Sequence, residues 1–170
     1  FGLAAIKNVG EGAVEAVLAE RKEGGPFRSL FDLCDRVDLR AVNRRVVESF
    51  VKSGSFDSTD PRRSALFAAI ERAMEAGQKR QRDRDAGQSS LFGMLGGAGE
   101  KQAAPERIPD APPWSEAERL LFEKESLGFF ISGHPLERFR AEIAQWASAT
   151  TGTLAQAPAG VEATGGGIVT

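Results

Sequence analysis

The 170-residue chain has only one cysteine and one histidine. A single cysteine excludes an intramolecular disulfide. The neighbours of Cys34, which are Leu30, Phe31, Leu33 and Val37, indicate a small buried side chain in a reducing compartment. One cysteine and one histidine do not form the ligand pattern of a zinc site. No apolar run approaches the ~20 residues that span a bilayer, and no signal-peptide pattern occurs, so we expect a cytoplasmic protein without membrane contacts.

Loop-forming residues and charge are unevenly distributed. Nineteen glycines and eight prolines predict many loops, whereas an apolar content of 41% allows a core. Residues 1–86 hold sixteen Lys and Arg against fourteen Asp and Glu, and residues 87–170 hold six against ten. The modest basic patch between Arg36 and Arg63 does not by itself establish nucleic-acid binding. The chain begins without methionine inside an apolar pattern and ends on a strand-like run, so we expect a piece of a longer protein.

The periodicity of residues 1–76 is helical, and strand-like alternation is absent there. We therefore predict a mostly α fold. Helix starts are marked by the capping patterns at Ser29, Asn43, Asp60-Pro61 and Ser115. The residues expected on buried helix faces in this part are Ala13, Val14, Val17, Leu18, Val46, Val47, Phe50, Val51, Leu66, Ala69, Ile70, Ala73 and Met74.

Composition divides the chain into four parts. Residues 1–76 form a helical domain, and residues 77–114 form a flexible linker because they are rich in charge, Gly and Pro. Residues 115–147 form a pair of helices, the second of which starts at His134-Pro135. His134 is interpreted as a helix cap rather than an acid–base catalyst, because no partner residue lies near it in sequence. Residues 148–170 form a connecting segment.

The segment Val9-Gly10-Glu11-Gly12 lies between two predicted helices, which is the layout of a helix-hairpin-helix motif. Glycines let a phosphate approach the backbone closely, and the first amides of the following helix carry the positive end of its dipole. Such a site binds DNA without reading its sequence. The alternative is a tight turn in which glycine only ends a helix.

A second turn at Ser53-Gly54-Ser55 has the same layout with fewer glycines, so we consider a tandem motif beside a packing turn between helices. The arginines around the turns are either nonspecific phosphate contacts or a solvated face balanced by acidic residues. The predicted DNA-binding residues are Lys7, Asn8, Val9, Gly10, Glu11, Gly12, Arg44, Arg45, Lys52, Ser53, Gly54, Ser55, Arg62 and Arg63.

An apolar pair, Leu91-Phe92, lies inside the predicted linker, where its neighbours cannot bury it. It either docks on a partner or anchors the loop to its own domain. The pattern Gln-x-x-Leu-Phe resembles the short peptide by which bacterial replication proteins bind the sliding clamp. The predicted clamp-binding residues are Gln88, Ser89, Ser90, Leu91 and Phe92.

The order of these segments resembles the alpha subunits of bacterial DNA polymerase III, the C-family of replicative polymerases. The matching segments include residues 2–12, 27–34, 43–46, 52–57, 87–93 and 126–136. The resemblance implies a tandem helix-hairpin-helix domain, a flexible linker with a clamp-binding peptide, and two further helices that lead into an OB domain. Residues 166–170 are similar to the first strand of that domain.

The resemblance also implies a parent DNA-directed DNA polymerase, a nucleotidyltransferase with Mg²⁺ bound by palm carboxylates. This segment is expected to lack those catalytic carboxylates and to bind no cofactor, because Asp83 and Asp85 have no apolar support for a rigid metal site. The implied partners are double-stranded primer–template DNA, the sliding clamp (beta subunit), the remaining polymerase domains and the holoenzyme subunits. The alternatives are a helix-hairpin-helix module of a repair enzyme and a protein-only clamp adaptor.

Overall fold

The computed structural model describes residues 2–85 and 107–168. Within these ranges the chain forms helices and no strand, so the predicted mostly α class is confirmed. It divides into two units, Phe1–Phe129 and Phe130–Thr170. The helices of the first unit are α1 Glu11–Gly24, α2 Leu30–Arg36, α3 Arg44–Lys52, α4 Arg63–Asp85 and α5 Glu116–Leu127, after a 3₁₀ turn at Leu3–Ala5.

Side-chain caps begin three of these helices as the sequence predicts. The Asp32 amide donates to Ser29 Oγ at 3.0 Å, and the Val46 amide donates to Asn43 Oδ1 at 3.2 Å. Ser115 forms the predicted capping box at the start of α5. Each cap satisfies an amide that has no acceptor inside its helix, which fixes the start of the helix.

The core of the first unit lies between α1, α2, α3 and α4. Burial of each large apolar side chain there contributes about 1.5–3 kcal/mol. One expected core residue is wrong: Leu18 is 53% exposed, because the buried face of α1 is narrower than predicted and is centred on Ala13 and Val17. The largest fully buried apolar side chains are Leu30, Cys34, Val37, Val42, Val47, Val51, Leu66 and Ile70.

Helix α4 continues to Asp85, so the boundary predicted at residue 76 lies inside a helix. Gly77 is buried where α4 crosses α2, and an added Cβ would overlap the Cys34 carbonyl. One turn later the Gln81 Nε2 amide donates to the carbonyls of Cys34 at 3.1 Å and Val37 at 2.8 Å. These contacts hold residues 77–85 on the domain although they contain no large apolar residue.

Helix α5 packs against the other helices of the first unit. Trp114, which precedes α5, makes edge-to-face contacts with Phe67 of α4 and Phe122 of α5 at centroid distances of 5.7 and 4.5 Å. Ile108 packs against the same core. Residues 107–127 are therefore part of the helical domain, whereas the sequence grouped α5 with the helix that follows it.

The second unit contains a 3₁₀ turn at Glu137–Phe139, α6 at Arg140–Trp146 and α7 at Thr151–Leu154. His134 Nδ1 accepts the Leu136 amide at 3.2 Å, but the helical turn that follows begins at Glu137 without a side-chain cap, so the predicted helix start at His134-Pro135 is wrong. The described residues from 148 to 168 form no strand, and Val169 and Thr170 lie outside the described residues, so the OB strand stays a prediction. In the part of the chain that the structure describes, no helix has the length and hydropathy to cross a bilayer.

Candidate nucleic-acid interface

The first turn, residues 6–12, has glycines that its own fold does not require. Gly10 has φ −77° and ψ 164°, which any residue can adopt, and Asn8 has the positive φ of 67° in this turn. A Cβ added at Gly10 or Gly12 would meet no atom within 4 Å. Both glycines are exposed, so the missing Cβ atoms leave the backbone open to solvent rather than to other protein.

Helix α1 begins at this turn without a side-chain cap. The amides of Ala13 and Val14 both donate to the Gly10 carbonyl, at 3.1 and 3.2 Å. The N–H groups of Glu11 and Gly12 precede these bonds and have no acceptor inside the helix. Whereas α2, α3 and α5 have Ser or Asn caps, α1 presents uncapped amides at the positive end of its dipole.

The other residues of the first turn fix its position. Val9 is 9% exposed and packs in the core, and its amide donates to Ile6. The Lys7 amide donates to the Ser126 carbonyl at 2.7 Å, which leaves the Lys7 side chain exposed. The exposed Glu11 side chain adds a negative charge beside the uncapped amides. The predicted turn residues are thus brought together, with Val9 in a packing role.

The second turn, residues 53–55, differs because its glycine is required by the fold. Gly54 has φ +80°, and a Cβ there would overlap the Arg63 guanidinium and lie 2.8 Å from Asp57 Oδ2. Ser53 is 8% exposed, and its hydroxyl donates to the Phe50 carbonyl at 3.0 Å. Ser55 is exposed, but its amide donates to the same carbonyl at 2.9 Å. The arrangement is that of a packing turn between helices.

Arg63 does not face solvent, which corrects its prediction as a phosphate contact. It is 9% exposed, and its guanidinium lies 2.6 Å from Asp57 Oδ2 and 2.8 Å from Glu123 Oε1. Glu123 is fully buried. The hydrogen bonds that its guanidinium donates to Asp57 and Glu123 raise the pKa of Arg63, so the cation is held in this cluster.

Lys52 is partly exposed and makes its contacts within the first unit. Its ammonium lies 4.6 Å from the Phe122 ring centroid and 3.2 Å from Glu125 Oε2. Both partners lie on α5, so Lys52 and Arg63 together hold that helix against the second turn. Their basic character, which suggested DNA binding in the sequence, instead serves helix docking.

The remaining predicted arginines are exposed and differ in their partners. Arg62 lies 2.7 Å from Asp60 Oδ2, and Arg44 lies 2.8 Å from Glu48 Oε1. These bonds raise the pKa of both guanidinium groups. Arg45 is exposed and has no carboxylate partner among the described residues. All three guanidinium groups are cationic, and Arg45 is the one whose positive charge is not offset by a neighbouring carboxylate among the described residues.

Sequence reasoning missed Glu123, which pairs with Arg63 beside the second turn, and Ser126, whose carbonyl accepts the Lys7 amide of the first turn. Capping and periodicity rules act over a few residues, whereas Glu123 is 60 positions from Arg63. The signal available in the sequence was the position of Glu123, a charged residue, on the apolar side of α5. Gln88, Ser89, Ser90, Leu91 and Phe92 lie outside the described residues.

The described residues do not fit a two-metal centre. Asp83 and Asp85 lie on the exposed end of α4. Within residues 2–85 and 107–168 no group of three or more His, Cys, Asp or Glu side chains is arranged to hold a metal ion. No catalytic step is derived from these residues.

A family model described as a helix-hairpin-helix motif matches residues 1–66 of this chain. Proteins named DNA polymerase III subunit alpha are similar over most of the chain. The protein from Haemophilus influenzae is 40% identical over 99% of this chain and 14% of its own length. Those from Neisseria meningitidis serogroup B and Escherichia coli K12 are 43% and 39% identical over 85% and 86% of this chain, and over 12% of their own lengths.

The chain therefore spans about one seventh of the curated relatives that it matches. The identity of about 40% extends from the first turn through α5 into the second unit, so it covers more than the helix-hairpin-helix motif alone. The family resemblance that the sequence predicts is confirmed by these relatives.

Proposed function

This chain is homologous to one segment of DNA polymerase III alpha subunits, and we propose that it holds duplex DNA behind the active site of such a polymerase. The observation that carries this proposal is the first turn. Gly10 and Gly12 are exposed, unstrained and free of packing contacts, and they flank uncapped amides at the start of α1. The missing side chains serve an external partner rather than the fold.

The partner that fits this turn is a backbone phosphate. Outward-directed N–H groups at a helix N-terminus bind an anion, and a hydrogen bond to a charged group contributes about 1.5–3 kcal/mol. Lys7 is exposed beside the turn and adds a positive charge. Such contacts carry no base information, so binding is independent of DNA sequence.

The glycine contacts can be tested with a double variant, Gly10→Val/Gly12→Val. The added side chains extend into open space, so the fold is kept while a phosphate is held away from the amides. We expect the dissociation constant for a primer–template duplex at low salt to rise by about tenfold or more, the loss of one charge-assisted bond. Fluorescence anisotropy measures binding, and circular dichroism checks the fold.

The matched control is Gly2→Val, because Gly2 is also exposed and also without a neighbour within 4 Å of an added Cβ. The control should bind duplex as the wild type does. A folded double variant with unchanged affinity would remove the first turn from the proposal. A wild-type chain without salt-dependent duplex affinity would instead favour the protein-only adaptor.

We further propose that residues 88–92 bind the sliding clamp of the parent polymerase. Leu91 and Phe92 would fill an apolar pocket on the clamp, and Gln88 would form a hydrogen bond at its rim. The described residues on both sides support this role: α4 ends at Asp85, and the Arg107 carbonyl accepts Arg72 Nη1 of α4 at 3.3 Å. The peptide is thus attached at both ends to one domain.

Attachment to the DNA-binding domain strengthens a weak peptide contact. A short apolar peptide that orders on binding has an affinity on the order of micromolar. Clamp and hairpin act on the same duplex, so each contact raises the effective concentration of the other. This coupling accounts for processive synthesis by modest individual contacts.

The clamp contact is tested with Leu91→Ala/Phe92→Ala. We expect loss of clamp binding in surface plasmon resonance and unchanged duplex binding without clamp. The matched control is Met94→Ala/Leu95→Ala, which removes similar apolar groups from the same segment outside the motif. Equal clamp affinity for the first variant and the wild type would reject the assignment.

The parent activity that we propose is DNA-directed DNA synthesis in the cytoplasm, with other polymerase domains and holoenzyme subunits as partners. Mg²⁺ would be bound by palm carboxylates outside this chain and would supply the metal-assisted nucleotidyl transfer. The part played by this chain is binding and placement of the duplex.

A further inference from the structure

Helix α5 joins the two turns of the first unit. At one point Glu123, which is fully buried, lies 2.8 Å from Arg63 Nη1 beneath the second turn. Three residues later the Ser126 carbonyl accepts the Lys7 amide of the first turn at 2.7 Å. Both contacts lie within the last turn and a half of α5, which ends at Leu127.

The Ser126 carbonyl is well suited to hold the first turn. The last carbonyls of a helix receive no hydrogen bond from an N–H group of the same helix, so the Ser126 carbonyl is available to a donor outside α5. Ser126 is 3% exposed, and its hydroxyl donates to the Phe122 carbonyl at 2.7 Å, which rigidifies the same helical turn. On its other side the first turn is held by Asn8, whose Nδ2 lies 3.4 Å from Ser49 Oγ on α3.

We propose that Glu123 is a positioning residue for the phosphate-binding turn: its buried carboxylate fixes the last turn of α5 on Arg63, and the Ser126 carbonyl then sets the Lys7 backbone and the amides at Gly10–Gly12. The inference rests on the proposed phosphate contact of the first turn. It assigns the second turn a role in DNA binding that acts through α5 rather than through its own residues.

The position of the first turn matters because its proposed phosphate donors are main-chain N–H groups. A lysine or arginine side chain can rotate to follow a phosphate, whereas a main-chain N–H moves only with the turn that carries it. A binding group is productive only within about 0.5 Å of its intended place. Loss of one member of a buried ion pair leaves the other charge uncompensated, so the helix that carries it shifts or loosens.

The test compares Glu123→Gln with Glu116→Gln. The first variant keeps the shape of a buried side chain and removes its charge. The second makes the same change in the first turn of α5, where Glu116 is exposed. We expect Glu123→Gln to weaken duplex binding by roughly tenfold and Glu116→Gln to change it less than about twofold.

Hydrogen exchange of the Lys7 amide supplies a readout that general destabilisation does not move. In Glu123→Gln this amide should exchange at least about tenfold faster relative to core amides of α2 and α4. If the ratio of Lys7 to core exchange stays at its wild-type value, the positioning role is overturned. Because this measurement needs no DNA, it remains decisive even if the first-turn valine variant shows that the proposed phosphate contact is absent.

A second variant covers the case in which Glu123→Gln does not fold. Arg63→Met/Glu123→Met replaces the whole pair by apolar side chains, a change that buried ion pairs often tolerate. We expect a folded protein with fast Lys7 exchange and weakened duplex binding. If this variant folds with wild-type exchange and affinity, packing of α5 alone places the turn, and the role of the Glu123 carboxylate is rejected.

Discussion

The two glycine turns of the helical domain have the same layout in sequence and opposite relations to their own protein. Gly10 and Gly12 lie where a side chain would enter open space, with ordinary backbone angles. Gly54 has φ +80° and no room for a Cβ beside Arg63. A glycine that the fold requires is explained by the fold. A glycine that the fold does not require is the better candidate for contact with a ligand.

The two turns also differ in whether the cations around them are paired. The cations around the second turn are bound to carboxylates or aromatic rings of the same unit, as Arg63 is to Glu123 and Lys52 is to Phe122. Beside the first turn, the Lys7 side chain is exposed. A count of basic residues along the sequence does not distinguish these cases, because it does not show which cations are already paired with carboxylates or rings.

The largest expected difference between the turns is in stability. Gly54→Ala should lower the free energy of unfolding by about 3 kcal/mol, since it combines a left-handed backbone with overlap against an Arg63 that two carboxylates hold in place. Gly12→Ala should raise it by about 0.5–1 kcal/mol, because alanine favours the first turn of α1. Urea denaturation of both variants measures the difference.

The stability cost of Gly54→Ala can be checked by also replacing Arg63, the side chain that the added Cβ would overlap. Combining Gly54→Ala with Arg63→Ala removes the overlap with the Arg63 guanidinium, so the cost of the alanine should fall below that of Gly54→Ala in the wild-type background. If Gly54→Ala alone is as stable as the wild type, the second turn is not the packing turn that the structure shows.

Local sequence rules predicted much of the helical framework. Ser29, Asn43 and Ser115 were identified as caps because each cap bonds to an amide three residues away. These signals are short-range, and they hold whatever packs against the helix.

The predictions that failed concern residues whose surroundings are set by contacts with residues far away in the sequence. The polar residues after Gly77 were interpreted as linker because they offer no apolar stripe, but Gln81 is hydrogen-bonded to carbonyls at the end of α2. Arg63 was expected to meet DNA because its partner Glu123 is 60 residues away in sequence. The first turn was predicted at residues 9–12 between two helices, whereas a 3₁₀ turn at Leu3–Ala5 precedes it and α1 already begins at Glu11. Only coordinates distinguish its open glycines from the constrained Gly54.

The reactivity of Cys34 gives a second, kinetic comparison of the turns. Cys34 is fully buried, and burial raises the pKa of its thiol to about 12. Thiol reagents at pH 8 should therefore react only when the domain opens. A loss of about 3 kcal/mol in Gly54→Ala should speed labelling by about 100-fold, whereas Gly12→Ala should slow it or leave it unchanged.

Cys34→Ala serves as the unlabelled control, and labelling in urea gives the rate for the open chain. Rapid labelling of the native wild type would show that the α2–α4 contact opens independently of the turns. Equal rates for the two glycine variants would contradict the stability difference between the turns.

Replacing Lys52 or Lys7 should have smaller effects, one on stability and the other on the salt dependence of duplex binding. Lys52→Ala should cost about 1 kcal/mol of stability, because it removes the ring contact and the Glu125 pair that hold α5. The salt dependence of duplex binding should keep its slope. Lys7→Ala should leave stability unchanged and reduce the slope of log Kd against log salt by about 1 if Lys7 neutralises one phosphate.

The reverse outcome, a reduced salt slope for Lys52→Ala with unchanged stability, would restore the second turn as a DNA contact. Arg45→Ala is a useful companion variant. Arg45 is the exposed arginine of α3 without a carboxylate partner among the described residues, so it should behave like Lys7 if it faces the duplex.

Arg62 gives the smallest expected effect and tests whether an exposed but paired arginine counts as a free charge. Its hydrogen bond lowers the pKa of Asp60 below the ordinary value of 3.8. A lowered native pKa stabilises the fold above the unfolded pKa, and this stability is lost as the pH falls through the native value. Arg62→Ala should therefore lower the free energy of unfolding slightly at pH 7 and less at pH 3, with a smaller change in salt slope than Lys7→Ala. Urea denaturation at both pH values measures the first effect. A cost that is independent of pH would show that Arg62 stabilises α4 by packing rather than by its bond to Asp60.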